Sequence, residues 1–445
     1  MKTRRQFIKN FLVATGATVF GYNLPEKFQS TRKIARDVQS SVYRALNGSP
    51  SENLSTVIKL LGGIEKIIGE DDVVVIKPNV QWWNQGASNL SALKTFVDLI
   101  MNHPSGFYSE VVIAENCHRG SEPWKSENSG WMRNFERNSD LKMINNFNDL
   151  TGHLKKTYGN QFSTCHWIDI DAGGKRVFSP ADGIGYVYCD GTGGVPLIPF
   201  NNGAKGDDFR EVIMTYPIFK TDKGTIVDFK NGIWNDGTYT EQPLRFINFA
   251  VLNHHSNYCG ATSAIKNYFG ISDISGGGDG KLTDKYNNFH SFAYNKWDVG
   301  PVPGMLGAEV AVFMNTIRKA DLNIIAAEWV GLASRTEPPV DRTRTVLAST
   351  DPVALDYHAT KYILYPNSNI PIHNPDDYES PLHQYLVKCA EHCGGVYDEK
   401  HVALKSYDLK TKSFQTGDDL EIIGETTWGS DLKTLMKYLI LRLNL

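Results

Sequence analysis

The chain is poor in cysteine, with Cys117, Cys165, Cys189, Cys259, Cys389 and Cys393 the only six in 445 residues. Six are too few for a disulfide scaffold, and no two have the CxxC spacing of a zinc or redox motif. The cysteine run of a ferredoxin-type iron–sulfur cluster is missing too, so that cofactor is not expected. Cys389 and Cys393 stand one helical turn apart and read as small buried side chains, with a disulfide or metal pair as the alternative. An excess of charge of one sign is also lacking. Forty-six Lys and Arg face 49 Asp and Glu, for a formal net charge of -3. Setting aside the four cations Lys2, Arg4, Arg5 and Lys9 takes this to -7, and a mildly acidic body argues against nucleic acid and anionic membrane as partners. Beyond the N-terminus no apolar run reaches the ~18 residues needed to span a bilayer. Internal repeats and low-complexity tracts are absent, which excludes solenoid architectures.

The N-terminus itself is informative. Thr3-Arg4-Arg5-Gln6-Phe7-Ile8-Lys9 precedes an apolar run from Phe11 to Phe20, the pattern of a twin-arginine export signal with Ile8 in the usual Leu position. Such a signal implies the twin-arginine translocase as a partner, an exported or periplasmic location, and passage in the folded state, often with a cofactor already in place. No cysteine follows the apolar run, so a lipoprotein anchor is not expected. The cleavage site is indistinct, leaving an uncleaved N-terminal membrane anchor open. The expected organisation is a signal or anchor over 1–21, a linker over 22–55 with a short helix near Ile34 to Leu46, and one domain over 56–445.

Within that domain, Asp72 to Ile76 is a β-branched run halted at Pro78, as a buried parallel strand would be. Leu90 to Met101 has apolar residues at helical spacing, and Glu110 to Glu115 is a second strand. Strand, helix and strand form a βαβ unit, hence a mostly parallel sheet with flanking helices, the α/β class. The pattern returns with a helix over Leu306 to Ile317 and strands at Asp321 to Ala327 and Thr345 to Ala348. A helix then opens at Asp351-Pro352, with Asp351 as its cap. Residues 160 to 300, rich in Gly, Asn and Thr, read as a β-rich insertion. Leu432, Leu435, Met436, Leu439, Ile440 and Leu443 share one face of a closing C-terminal helix, expected to dock on the body.

Ligands in open parallel sheets bind beyond the carboxyl ends of the strands. The first strand ends in Lys77-Pro78-Asn79, a fixed cation suited to a carboxylate or phosphate. The second ends in Glu115-Asn116-Cys117-His118-Arg119. A third strand runs through Pro217 to Lys220, Thr221 and Asp222, and Lys266-Asn267 lies farther on. Cys117, His118, His254, His255 and Cys259 offer imidazole and thiolate to a transition metal, although their spacing matches no structural zinc signature. Asp356 with Glu328 is a further carboxylate pair. Gly276 to Gly280 could cradle an anion or serve as a flexible loop.

Ile76-Lys77-Pro78-Asn79, Pro217 to Thr221, Ala264-Ile265-Lys266-Asn267-Tyr268-Phe269-Gly270 and Leu347 to Asp356 resemble, in order, the signatures of the domain of unknown function 362 family, over about 75–395. The resemblance implies an α/β fold. It departs in two places: Asp222 stands where relatives commonly have histidine, and residues 223–253 intervene before His254-His255, which could supply the displaced group. Three functions follow as expectations. The first is an exported metal- or redox-cofactor-dependent enzyme acting on an anionic small molecule. Its catalytic side chains would be Lys77, Glu115, His118, Lys220, Asp222 and Lys266, with Asn79 and Asn267 holding the cofactor. The second is a non-catalytic binding protein for an anionic or carbohydrate ligand, with Trp82-Trp83 for stacking. The third is a metal-dependent ester hydrolase, which needs carboxylates gathered around His254 and His255.

Overall fold

The computed structural model describes residues 40–443 apart from 117–124, 168–175, 204, 206–208, 210, 275–288, 290–302 and 416–419. The twin-arginine stretch, Cys117, His118 and the Gly276–Gly280 loop therefore lie outside the described residues. The fold is a mixed α/β structure around a large, mostly parallel central sheet. Its elements in chain order are β1 (Ser40–Leu46), α1 (Pro50–Leu60), β2 (Val73–Pro78), α2 (Leu90–Met101), β3 (Glu110–Glu115), α3 (Phe147–Tyr158) and β4 (Phe162–His166). After a second sheet come β5 (Leu244–Ala250), α4 (Ala264–Asn267), α5 (Pro303–Thr316), β6 (Leu322–Gly331), β7 (Val340–Ser349), α6 (Pro352–Ala359), α7 (Pro381–Cys393), β8 (Val402–Asp408) and α8 (Leu432–Leu443).

The central sheet runs β8-β1-β7-β6-β5-β2-β3-β4. From β6 through β4 every pairing is parallel, while β7 is antiparallel to both its neighbours. Alternation along the strands gives each face its own core. Val74, Ile76 and Ile247 pack with Leu54, Leu93, Phe96 and Leu150 of α1, α2 and α3. Val73, Val75 and Phe246 point the other way, into a core with Phe313 of α5 and Leu386 of α7. α5 and α7 approach closely because Gly307 has no side chain: a Cβ there would sit 2.0 Å from the Tyr385 carbonyl oxygen.

Three expectations need revision. The stretch expected as linker and helix contains β1, which pairs in parallel with β8 and antiparallel with β7. The β-rich insertion is narrower than 160–300, because β4 and β5 are strands of the central sheet. What lies between them includes an antiparallel sheet of Gly185–Tyr188, Thr215–Lys220, Ile226–Asp228, Gly232–Asn235 and Thr238–Tyr239. The C-terminal helix does dock, but through Thr434 and Tyr438 rather than its leucine face. Tyr438 packs edge-on against Trp428 and hydrogen-bonds to the Ser368 carbonyl oxygen at 3.4 Å, which turns Leu432, Met436, Leu439, Ile440 and Leu443 outward.

Candidate functional site

The parallel strands β2, β3 and β5 lead to a common cavity. β2 delivers Lys77 and Asn79, β3 delivers Glu115 and Asn116, and the α4 segment after β5 supplies Lys266 and Asn267. This is the topological position at which open parallel sheets bind ligands.

Lys77 is 1% exposed and its Nζ lies 2.7 Å from Glu115 Oε2. It also donates to Asn267 Oδ1 at 2.5 Å and to the Pro78 carbonyl at 2.9 Å. Behind Asn267 the cross-strand register aligns Lys77 with Asn248 and Asn248 with Asn323. Asn267 Nδ2 donates to Asn248 Oδ1 at 2.7 Å, and Asn248 Nδ2 to Asn323 Oδ1 at 2.8 Å. Asn323 Nδ2 in turn reaches the Ser349 carbonyl at 3.3 Å. Asn248 and Asn323 were not anticipated, since asparagine is disfavoured within strands. Their signal was an isolated amide in an apolar run, Phe246-Ile247-Asn248-Phe249 and Leu322-Asn323-Ile324. A buried amide must find partners, and here they find one another. Gly270 closes over the lysine, and a Cβ there would lie 2.7 Å from Lys77 Nζ.

Burial pushes the Glu115 carboxyl up to about 7, against the pull of the Lys77 ammonium. Burial also drives the Lys266 ammonium down to about 7, against the pull of Cys259 and Glu309 and aided by the positive charges of Arg335 and Lys77. Lys266 is partly exposed to the cavity, with its Nζ 3.2 Å from the centroid of the Phe269 ring. Behind it, Glu309 of α5 is fully buried, and neither of its carboxyl oxygens has a hydrogen-bond partner among the described residues. Burial raises Glu309 well above the usual carboxylate range, against the pull of the nearby Lys266 ammonium.

Of the other candidate residues, Asn79 and His255 also line the cavity and the remaining described ones fall elsewhere. Asn79 lines the cavity, and its Oδ1 accepts from the Val251 amide at 3.2 Å. Lys220 ends its strand in the antiparallel sheet, and Asp222 beyond it pairs with Lys155 of α3 at 3.0 Å; neither lines the cavity. Asp356 is not a partner of Glu328. Its carboxylate accepts the Ala264 and Ile265 amides at 2.8 and 3.0 Å and so fixes the start of α4, while Glu328 bonds Arg342 Nε at 2.7 Å. Asp351 caps α6 through the Val353 and Ala354 amides.

The described soft ligands His254, His255 and Cys259 do not converge. His254 Nδ1 lies 2.9 Å from His373 Nε2 in a buried pair, and His255 Nδ1 accepts the Ser256 amide at 2.8 Å. The Cys259 thiol, pushed up to about 12 by burial, bonds the Ala261 carbonyl oxygen. His254 and His255 border a second cavity with Ser334, Arg335 and Lys437, and among the described residues no carboxylate lines it. Among the described residues no group of three or more His, Cys, Asp and Glu side chains could hold a metal ion. His254, His255 and Cys259 thus do not fit a shared metal, and the ester-hydrolase arrangement lacks its carboxylates there.

Residues 242–361 match the family described as Domain of unknown function (DUF362). No curated protein and no solved structure matches the chain. The matched segment contains Asn248, Lys266, Asn267, Asn323 and the α4-capping Asp356, which is the C-terminal share of the site. Lys77 and Glu115 come from outside it, so the cavity is completed by the preceding βαβ unit.

Proposed function

We propose that this protein is an exported enzyme that binds an anionic small molecule in the cavity at the ends of β2, β3 and β5 and exchanges a proton with it through Lys266. The observation that carries this reading is the pairing of two unlike lysines on one cavity. Lys77 is pinned by Glu115, Asn267 and the Pro78 carbonyl. Lys266, brought down to about 7, holds both its amine and ammonium forms near neutral pH. The ammonium attracts an anion, and the amine can remove a proton from the bound molecule.

Calorimetric titration of wild type and Lys266→Met with phosphate, sulfate, citrate and small phosphorylated sugars tests the reading. We expect one class of anion to bind wild type and to bind at least tenfold more weakly to the variant. Binding that is unaffected by Lys266→Met, or the absence of any anion binding, overturns it. A non-catalytic carbohydrate-binding role draws on Trp82, which also lines the cavity. Arg335 stacks over that indole ring at 4.8 Å and takes up a face that a sugar would need.

A further inference from the structure

The outward face of α8 is a feature that the cavity chemistry leaves unused. Leu432, Met436, Leu439, Ile440 and Leu443 are between 43% and 75% exposed. At 3.6 residues per turn they fall within about 100° of one another around the helix axis. Trp428, 59% exposed, stands beside the helix with its ring against Tyr438. Lys433 borders the stripe on one side and Arg442, exposed while donating to the Tyr438 hydroxyl at 3.2 Å, on the other, and Lys437 turns inward to bond the Ala333 carbonyl at 2.8 Å. The helix contains no acidic residue; Asp431 precedes it as its cap.

An apolar stripe bordered by cations on both long edges is the design of a helix lying in a membrane interface, with its apolar side chains among the acyl chains and its cations at the headgroups. We propose that α8, with Trp428, docks this protein on the surface of an anionic lipid bilayer. The acidic net charge argues against an anionic membrane as partner of the body as a whole, but not of this one face. Screening confines each charge to a Debye length of about 8 Å, so the membrane meets the local cations rather than the total. A second copy of the chain is a poorer occupant, because two such helices would set Lys433 and Arg442 against like charges. The apolar run from Phe11 to Phe20 is flanked by Lys2, Arg4, Arg5 and Lys9 and meets the same objection.

The test is flotation of the full chain with vesicles of phosphatidylcholine alone or mixed with phosphatidylglycerol. Wild type is expected to float with the mixed vesicles. Leu439→Glu/Leu443→Glu should reduce that partition about tenfold or more, since two apolar contacts become charges. Both positions are exposed, so its melting temperature should match wild type. Lys433→Gln/Arg442→Gln should keep weak binding but lose the preference for phosphatidylglycerol. The proposal fails if the double glutamate variant floats like wild type, which would assign binding to the N-terminal segment. It also fails if wild type ignores vesicles and forms a dimer that the same substitutions dissociate.

Discussion

Lys266 provides the sharpest quantitative test. The site is perturbed by pH alone, and the amine is read by limiting acylation with an anhydride followed by peptide mass spectrometry. With its value brought from 10.5 to about 7, half of Lys266 is amine at pH 7. An ordinary lysine at 10.5 is then amine in only about one molecule in 3,000. The advantage in amine population is about 1,500-fold, and the lower nucleophilicity of a weaker base returns part of it. Lys266 should still acylate at least ~10-fold faster than exposed lysines at pH 7, with a rate that levels off above about 8. Arg335 lowers the Lys266 value, so Arg335→Gln should move the midpoint upward. Stability carries the same signature. Between pH 7 and 10.5 the folded chain binds fewer protons at this position than the unfolded one, so stability should rise through that window. Lys266→Met should remove this rise. A wild-type labelling midpoint near 10, or a stability difference between wild type and Lys266→Met that does not change with pH, would refute the reasoning.

Glu115→Ala leaves the Lys77 ammonium buried without its carboxylate and should cost about 3–5 kcal/mol, read from the urea midpoint at pH 8; a loss below ~1 kcal/mol contradicts the buried pair. Gly270→Ala forces a methyl against Lys77 and should cost about 1–3 kcal/mol and weaken anion binding, whereas an unchanged midpoint would show that the lysine can move aside at little cost. Asp356 is also raised to about 7 by burial, so the folded state holds a proton there that the unfolded chain has released, and the contribution of this group to stability should fall as pH rises from about 4 to 7. Measuring wild type against Asp356→Asn isolates this slope, and parallel curves would count against it.

The parallel block of the sheet was legible because strands buried on both faces are nearly continuous apolar runs, as at Val73–Ile76 and Glu110–Ala114. β1 was not. Arg44 is fully buried there, bonding Ser406 Oγ at 2.7 Å and Gln415 Oε1 at 2.9 Å. Those partners lie more than 360 residues away, and without them Ser40-Ser41-Val42-Tyr43-Arg44 reads as a polar connector. For α8 the spacing gave the helix, but the docking face was decided by Tyr438, whose ring and hydroxyl both find partners on the body. Hydrophobicity alone ranked the leucine stripe ahead of it. At the site, lysines at proline-stopped strand ends could be read locally. The amides at Asn248 and Asn323 could not, because their worth depends on strand register.

That register also explains why adjacent residues of one short helix treat two lysines differently. The donors run in one direction, from Lys77 to Asn267, Asn248, Asn323 and the Ser349 carbonyl, so each amide turns its oxygen toward Lys77. An acceptor so oriented stabilises a cation, and Glu115 on the other side adds a second. Lys266, one residue before Asn267, receives none of these bonds and meets the Phe269 ring instead. Its charge is therefore set first by burial, which outweighs the opposing pull of Cys259 and Glu309, with Arg335 and Lys77 adding to the lowering. α4 thus fixes one lysine through Asn267 and leaves the other free to titrate, with the Asp356 carboxylate holding both in place from the helix start. Exchanging the two functions would require more than exchanging side chains. A lysine at 267 would break the amide row, and an asparagine at 266 would have no row to join. The titrating lysine belongs at 266 because the sheet behind α4 has already committed 267.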